Sequence, residues 1–171
     1  LGKSIPGEKE RHDTESSLHE GVGKGGLMGT IVVGVDGSEG AEIALGFALE
    51  EAALRGSKLR LVSAWEIPPS VLASVVASKE FYEEFRENAL RVAEAAAAIV
   101  EAHEPPVEHE EVVDEGHAGK VLLENAVDAE LLVVGRRGQG TIREMLLGSI
   151  SRHVVAHAKC PLVIVPVPPH K

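Results

Sequence analysis

Three runs of the chain carry no alternation of polar and apolar residues: Ile31-Val32-Val33-Gly34-Val35, Leu131-Leu132-Val133-Val134 and Leu162-Val163-Ile164-Val165. A strand with one wet face alternates with a period of two. A strand without alternation is buried on both faces, as in a parallel sheet covered by helices on either side. The segments between these runs supply such helices. Ser38 caps one that carries Ile43, Ala44, Phe47, Ala48 and Ala52 on one face, with Gly56 as its stop. A second, Ser78 to His103, has Phe81, Phe85, Val92, Ala96 and Ile99 at helical spacing and ends before Pro105-Pro106. Between these helices Leu59 to Trp65 reads as a strand, closed by Ile67-Pro68-Pro69. Val107 to Asp114 reads as a Glu-rich strand, Lys120 to Val127 as a short helix, and Ser149 to His157 as the last helix.

The order is therefore β-α-β-α-β-α-β-α-β, an α/β chain whose crossovers build a doubly wound, five-stranded parallel sheet with helices on both faces. Ligands of such sheets bind beyond the carboxyl ends of strands, where the strand order reverses. That directs attention to Asp36-Gly37-Ser38 after the first strand and to Gly135 onward after the fourth.

Composition narrows the function classes. Apolar residues make up 44% of the 171, yet only Phe47, Trp65, Phe81, Tyr82 and Phe85 are aromatic, so Val, Leu, Ile and Ala must form the core. The formal charge of −10 argues against a general nucleic-acid or anionic-membrane binder, since either needs a basic face. A nucleotide needs only a local pocket of donors. The single cysteine, Cys160, leaves no internal disulfide framework and no Cys-based zinc site, and suggests a reducing compartment. With no secretory apolar segment and no run long enough to span a bilayer, the expected location is cytoplasmic. The chain starts at Leu1 rather than Met, which is compatible with removal of an upstream piece. Residues 1–28 are charged and glycine-rich without apolar periodicity, and are expected to be a flexible tail or a cloning remnant. The domain is expected over residues 29–168.

The fourth strand runs into Gly135-Arg136-Arg137-Gly138-Gln139-Gly140, and Leu147-Gly148-Ser149 opens the last helix. Phosphates need backbone N–H groups that can approach closely, which glycine permits, and they gain from a helix N-terminus. Ser149 and Ser151 add hydroxyls, and Arg137 a charged donor. The spacing is neither that of a P-loop nor of a dinucleotide-binding fingerprint. Taken alone, the loop reads more readily as a tight turn than as a phosphate site.

Together, the pattern Gly-x2-Gly-x9-Gly-Ser at Gly135, Gly138, Gly148 and Ser149, the opening Ile31 to Ser38 and the ending Lys159 to Pro166 resemble universal stress proteins of the ATP-binding kind. The resemblance covers Thr30 to Val167. It implies the strand order 3-2-1-4-5 and an ATP site, with Mg or Mn as an accompanying metal. In that site Asp36 lies beside the nucleoside and Ala64 borders the adenine. Gly135, Gly138, Gly148 and Ser149 hold the phosphates, Ile150 and Ser151 add contacts, and Arg137 occupies a variable position. Gly34 and Ala118 stand where many members have Pro, and Ala64 where many have Val. The implied function is a regulatory, stress-response nucleotide sensor with slow or no ATP hydrolysis, because no base for water and no acidic pair for Mg²⁺ is evident. The alternatives are an adenylating or ATP-hydrolysing enzyme of the related ATP-pyrophosphatase group, or a nucleotide-free interaction module. The family's strand order puts Leu162 to Val165 at a sheet edge, so a homodimer through that apolar strand is expected.

The remaining candidates have plainer readings. His153 and His157 lie four apart on one helix, but without a third ligand they read as a solvated face. His103, His109 and His117 read as scattered surface residues, Cys160 as a small buried apolar residue, and Glu108 to Glu115 as solvent-facing.

Overall fold

Strand β1 (Thr30–Gly34) is the centre of the sheet, and its side chains go alternately to two separate cores. Ile31, Val33 and Val35 join one apolar cluster and Val32 the other, so the unalternating run is buried on both faces as its composition requires. The computed structural model describes residues 28–67, 79–138 and 147–168. The tail expected over residues 1–28 lies outside these, apart from Met28, as do Pro68, Pro69, Gln139 and Gly140.

The described chain continues with α1 (Glu39–Arg55), β2 (Lys58–Trp65), α2 (Lys79–Glu101), β3 (His109–Glu115), α3 (Ala118–Asn125), β4 (Leu131–Gly135), α4 (Ser149–His157) and β5 (Leu162–Val165). All five strands are parallel, in the order β3-β2-β1-β4-β5. β1 is flanked by both partners in register, Ile31 standing beside Leu59 on one side and Leu131 on the other. Helices α1 and α2 cover one face through Ala44, Leu45, Ala48, Ala96 and Val100. Helices α3 and α4 cover the other through Val121, Leu122 and Val154. The strand order reverses between β2-β1 and β1-β4, which places the crevice beyond β1 and β4.

Local signals set most boundaries. The Ser38 hydroxyl accepts from the Ala41 N–H at 3.2 Å, and Gly56 closes α1 in the left-handed region at φ 67°. Three expectations need correction. Phe47 and Ile99 lie on outer faces, 37% and 46% exposed, because α1 buries Ala41, Leu45 and Leu49 instead, and α2 buries Ala89, Ala93 and Ala97. Strand β3 begins at His109 rather than Val107, since its ladder with β2 opens at the Leu59–His109 pair. Helix α3 begins at Ala118, two residues before the expected Lys120, because the N–H groups of Lys120 and Val121 already bond back to the His117 carbonyl.

β3, the acidic edge, is tied down by charge. Arg60 on β2, its side chain 16% exposed, bonds Glu110 Oε1, Asp128 Oδ1 and the Asn125 carbonyl. Burial disfavours the Arg60 charge, but its bonds to Glu110 and Asp128 outweigh that and hold its pKa above the usual value. The Arg60 bond in turn holds the Glu110 carboxyl below its ordinary value.

Candidate functional site

At the end of β1 the chain turns sharply. Asp36 Oδ1 accepts from the Ser38 N–H at 2.9 Å, Gly37 takes φ 74°, and Ser38 then caps α1. One carboxylate oxygen thus holds the turn. The other, Oδ2, lies against Gly138 of the loop after β4.

That loop is fitted onto the first turn of α1 by two glycines. A β-carbon on Gly135 would stand 2.5 Å from the Gly40 carbonyl oxygen, and one on Gly40 would strike the Arg137 carbonyl oxygen. The loop is closed by the Gly148 N–H, which donates to the Arg136 carbonyl at 3.0 Å. The buried Ser151 hydroxyl donates to the Gly135 carbonyl at 2.8 Å and to that of Arg136 at 3.1 Å. Ser151 therefore spends its proton on positioning the loop and offers a ligand only lone pairs. Gly148 is the N-cap of α4 and makes no side-chain cap, so the first N–H groups of α4 have no acceptor within the helix.

These elements bound a cleft of about 520 Å³, counting its solvent-open part, at the carboxyl ends of β1, β2 and β4. Val62, Ala64, Leu122 and Ile150 form an apolar floor, while Asp36, Arg137, Gly138 and Ser151 line it with polar groups. The apolar side suits a planar base and the glycine side suits an anion.

Of the residues singled out from sequence, Asp36, Ala64, Gly135, Arg137, Gly138, Ile150 and Ser151 border this cleft. Gly148 and Ser149 do not line it and stand instead at the start of α4. Ala41, Val62, Leu122 and Val134 also line it and had no distinguishing sequence signal, because they look like ordinary core positions.

A universal stress protein family model matches residues 28–166. The chain belongs to the universal stress protein family. One relative is the universal stress protein in the QAH/OAS sulfhydrylase 3′ region of Thermus aquaticus, 33% identical over 81% of this chain and 99% of its own length. The chain spans about half the length of the Mycobacterium tuberculosis universal stress proteins it matches, at 35% identity. Among solved structures, a universal stress protein in complex with cAMP is 32% identical, covering 80% of this chain and 95% of that one, with a TM-score of 0.51. The Archaeoglobus fulgidus universal stress protein in complex with dAMP is 25% identical, covering 81% and 98%, with a TM-score of 0.57.

Outside the cleft, three details bear on this family member. His117 is not scattered, as its sequence position suggested: its ring meets that of His153, which stacks on His157. Among the described residues no group of three His, Cys, Asp or Glu is arranged to hold a metal ion. Cys160 is half-buried at the edge of the α3–α4 core, and desolvation pushes its thiol above the usual pKa, which opposes a nucleophilic role.

Proposed function

We propose that this universal stress protein binds ATP in the cleft beyond β1 and β4, as a regulatory sensor that turns the nucleotide over slowly or not at all. The observation that carries the reading is the meeting of the Gly135–Gly138 turn, Ile150 and Ser151 from the first turn of α4, and Asp36 at one apolar cleft. The floor around Ala64 takes the adenine, and Asp36 lies beside the nucleoside. Gly135, Gly138, Gly148 and Ser149 take the phosphates, with Ile150, Ser151 and Arg137 alongside. The relatives solved with cAMP and dAMP support an adenine nucleotide as the ligand class. The triphosphate is our extension, argued from a glycine turn and a helix N-terminus that together present more donors than one phosphate needs.

Slow turnover follows from the same residues. Asp36 is the one carboxylate among the described residues bordering the cleft, and it already accepts the Ser38 N–H. One carboxylate together with nucleotide phosphates suits Mg²⁺ or Mn²⁺, which would supply charge neutralisation at the phosphates. A general base for water is then lacking among those residues. β5 stands at a sheet edge with Leu162, Val163 and Ile164 only half-buried, so a second copy paired there would complete their burial.

The experiment is mass spectrometry of the denatured purified protein together with titration of nucleotide-stripped protein by ATP. Co-released adenine nucleotide and saturable binding are expected, and stripped protein that takes up no ATP at millimolar concentration would remove the reading. Light scattering tests the dimer, with Val163→Asp expected to halve the mass.

A further inference from the structure

A second cavity lies behind the turn that carries Asp36, between the first turns of α1 and the middle of α2. It measures about 530 Å³, counting its solvent-open part. Val35 and Ala41 border both this cavity and the cleft described above, so the two stand back to back across the β1–α1 turn. Val35, Ala41 and Leu45 form one wall of the second cavity, and Val92, Ala95 and Ile99 of α2 form the other.

The opening follows from how the two helices meet. Both connect parallel strands, so they run in the same direction. They close on each other at one end, where His103, just past α2, lies 3.7 Å from Glu50 of α1. Toward the other end the facing side chains are short. Ala41 and Ala95 leave a gap between them, and Ile99 stays 46% exposed. The slot follows α2 from Arg91 to Ile99, about 12 Å of helix. A long, narrow, apolar space between helices is a common form of small-molecule site, and its volume lies within the usual range.

Two charged side chains border the slot, Arg91 on α2 and Glu42 on α1. Arg91 turns toward its own helix, but loosely: Nη1 is 4.0 Å from Glu87 and Nη2 is 3.5 Å from the Asn88 side-chain oxygen. Both contacts exceed the length of a good N–H···O bond, about 3.2 Å at most. The guanidinium fork therefore has donors to give a carboxylate, which it can hold with two parallel bonds. Glu42, on the opposite wall, repels any second anionic group. The complement of this space is an elongated apolar body with a single carboxylate at one end.

We infer that the slot between α1 and α2 binds an apolar monocarboxylate of the fatty-acid kind, its tail between Ala41 and Ala95 and its head on Arg91. The site goes beyond the nucleotide reading and stands without it. Decanoate is titrated calorimetrically into the whole protein, and decanedioate in parallel. Three variants are compared with wild type. Arg91→Gln removes the head-group partner, and Ala95→Leu places a longer side chain in the slot; both positions are exposed on α2, so the fold should tolerate either change. Ala64→Leu fills the floor of the other cleft instead. Decanoate should bind wild type saturably, one per chain, and Ala64→Leu equally well. Arg91→Gln should weaken it by about tenfold, the usual worth of a hydrogen bond to a charged group. Ala95→Leu should abolish saturable binding. Decanedioate should bind wild type more weakly than decanoate, because its second carboxylate meets Glu42. Wild type that shows no saturable decanoate binding overturns the inference. Binding that survives Ala95→Leu but is lost in Ala64→Leu puts the acid in the other cleft and overturns it too. Equal affinity in wild type and Arg91→Gln, or equal affinity for the two acids, overturns the assignment of a monocarboxylate.

Discussion

Gly138 lies so close to the Asp36 carboxylate that a β-carbon on Gly138 would overlap Oδ2. Its backbone is outside the left-handed region, which Gly37, Gly56 and Gly116 occupy, so glycine is needed at 138 for space rather than for its backbone angle. The two residues come from loops a hundred positions apart and set the mouth of the cleft between them.

A substitution at Gly138 should therefore act partly through Asp36. Gly138→Ala is expected to weaken ATP binding by at least about tenfold, a loss of about 1.4 kcal/mol. In an Asp36→Ala background the same change should cost distinctly less, because the oxygen it displaces is gone. Calorimetric titration of the four proteins of this cycle measures the coupling. Additive effects would mean that Gly138 and Asp36 act independently.

Gly135 serves the fold as well as the cleft it borders. Its missing β-carbon would meet the Gly40 carbonyl oxygen at 2.5 Å and its carbon at 2.7 Å, both backbone atoms that cannot swing aside. Gly135→Ala should destabilise the protein by about 1–3 kcal/mol, the usual range for forced overpacking. Urea denaturation of nucleotide-free protein checks this, and unchanged stability would show that α1 and the loop can part without cost.

The acid edge predicts a pH dependence of its own. Glu110 is held below its ordinary 4.5 first by the Arg60 bond and then by Lys58. A carboxylate lowered in the folded state contributes stability above its unfolded pKa and loses it as pH falls through that value toward the folded one. Wild-type stability should thus decline below about pH 4.5, and Glu110→Gln should be less stable at neutral pH with a shallower decline. Urea midpoints at several pH values test it. Parallel curves would mean that the exposed half of this ion pair leaves it without net effect.

The strands were legible because their chemistry is extreme. β1, β4 and β5 are runs of Val, Ile and Leu that only a doubly covered sheet can hide, and the Ser38 cap and Gly56 stop mark α1 to the residue. The inner face of α1 was legible only in part: Ala44, Ala48 and Ala52 are buried as expected, whereas Phe47 is not. Ala and Leu occur all round it, so Ile43 and Phe47 formed as good a stripe as the Ala41, Leu45 and Leu49 that are buried. Half of the cleft lining could be named: the glycines, the helix start and the Asp after a strand each have a local reason to be there, while Ala64 and Ile150 came from the family resemblance. The Gly40–Gly135 fit and the meeting of His117 with His153 could not. Both depend on how segments far apart in the chain pack, and no spacing in the sequence encodes that distance.

The phosphate cradle makes the last prediction, which requires no catalysis. A ligand that binds only the native state stabilises it by RT ln(1 + [L]/Kd), about 2.7 kcal/mol at a hundredfold excess over Kd. For a domain of this size, each kcal/mol moves the melting midpoint by roughly 2–4 °C, so ATP should raise it by about 5–10 °C. ADP should do less and AMP least, because each added phosphate can reach more of the N–H groups at Gly138 and at the start of α4. GTP should also do less than ATP if the floor of Val62, Ala64 and Ile150 selects adenine. The sample must first be stripped of bound nucleotide and checked by absorbance, since retained ligand would hide the shift. A midpoint unmoved by a large excess of ATP would refute binding. AMP equal to ATP would mean that the glycine turn only shapes the loop and that the base and sugar carry the affinity.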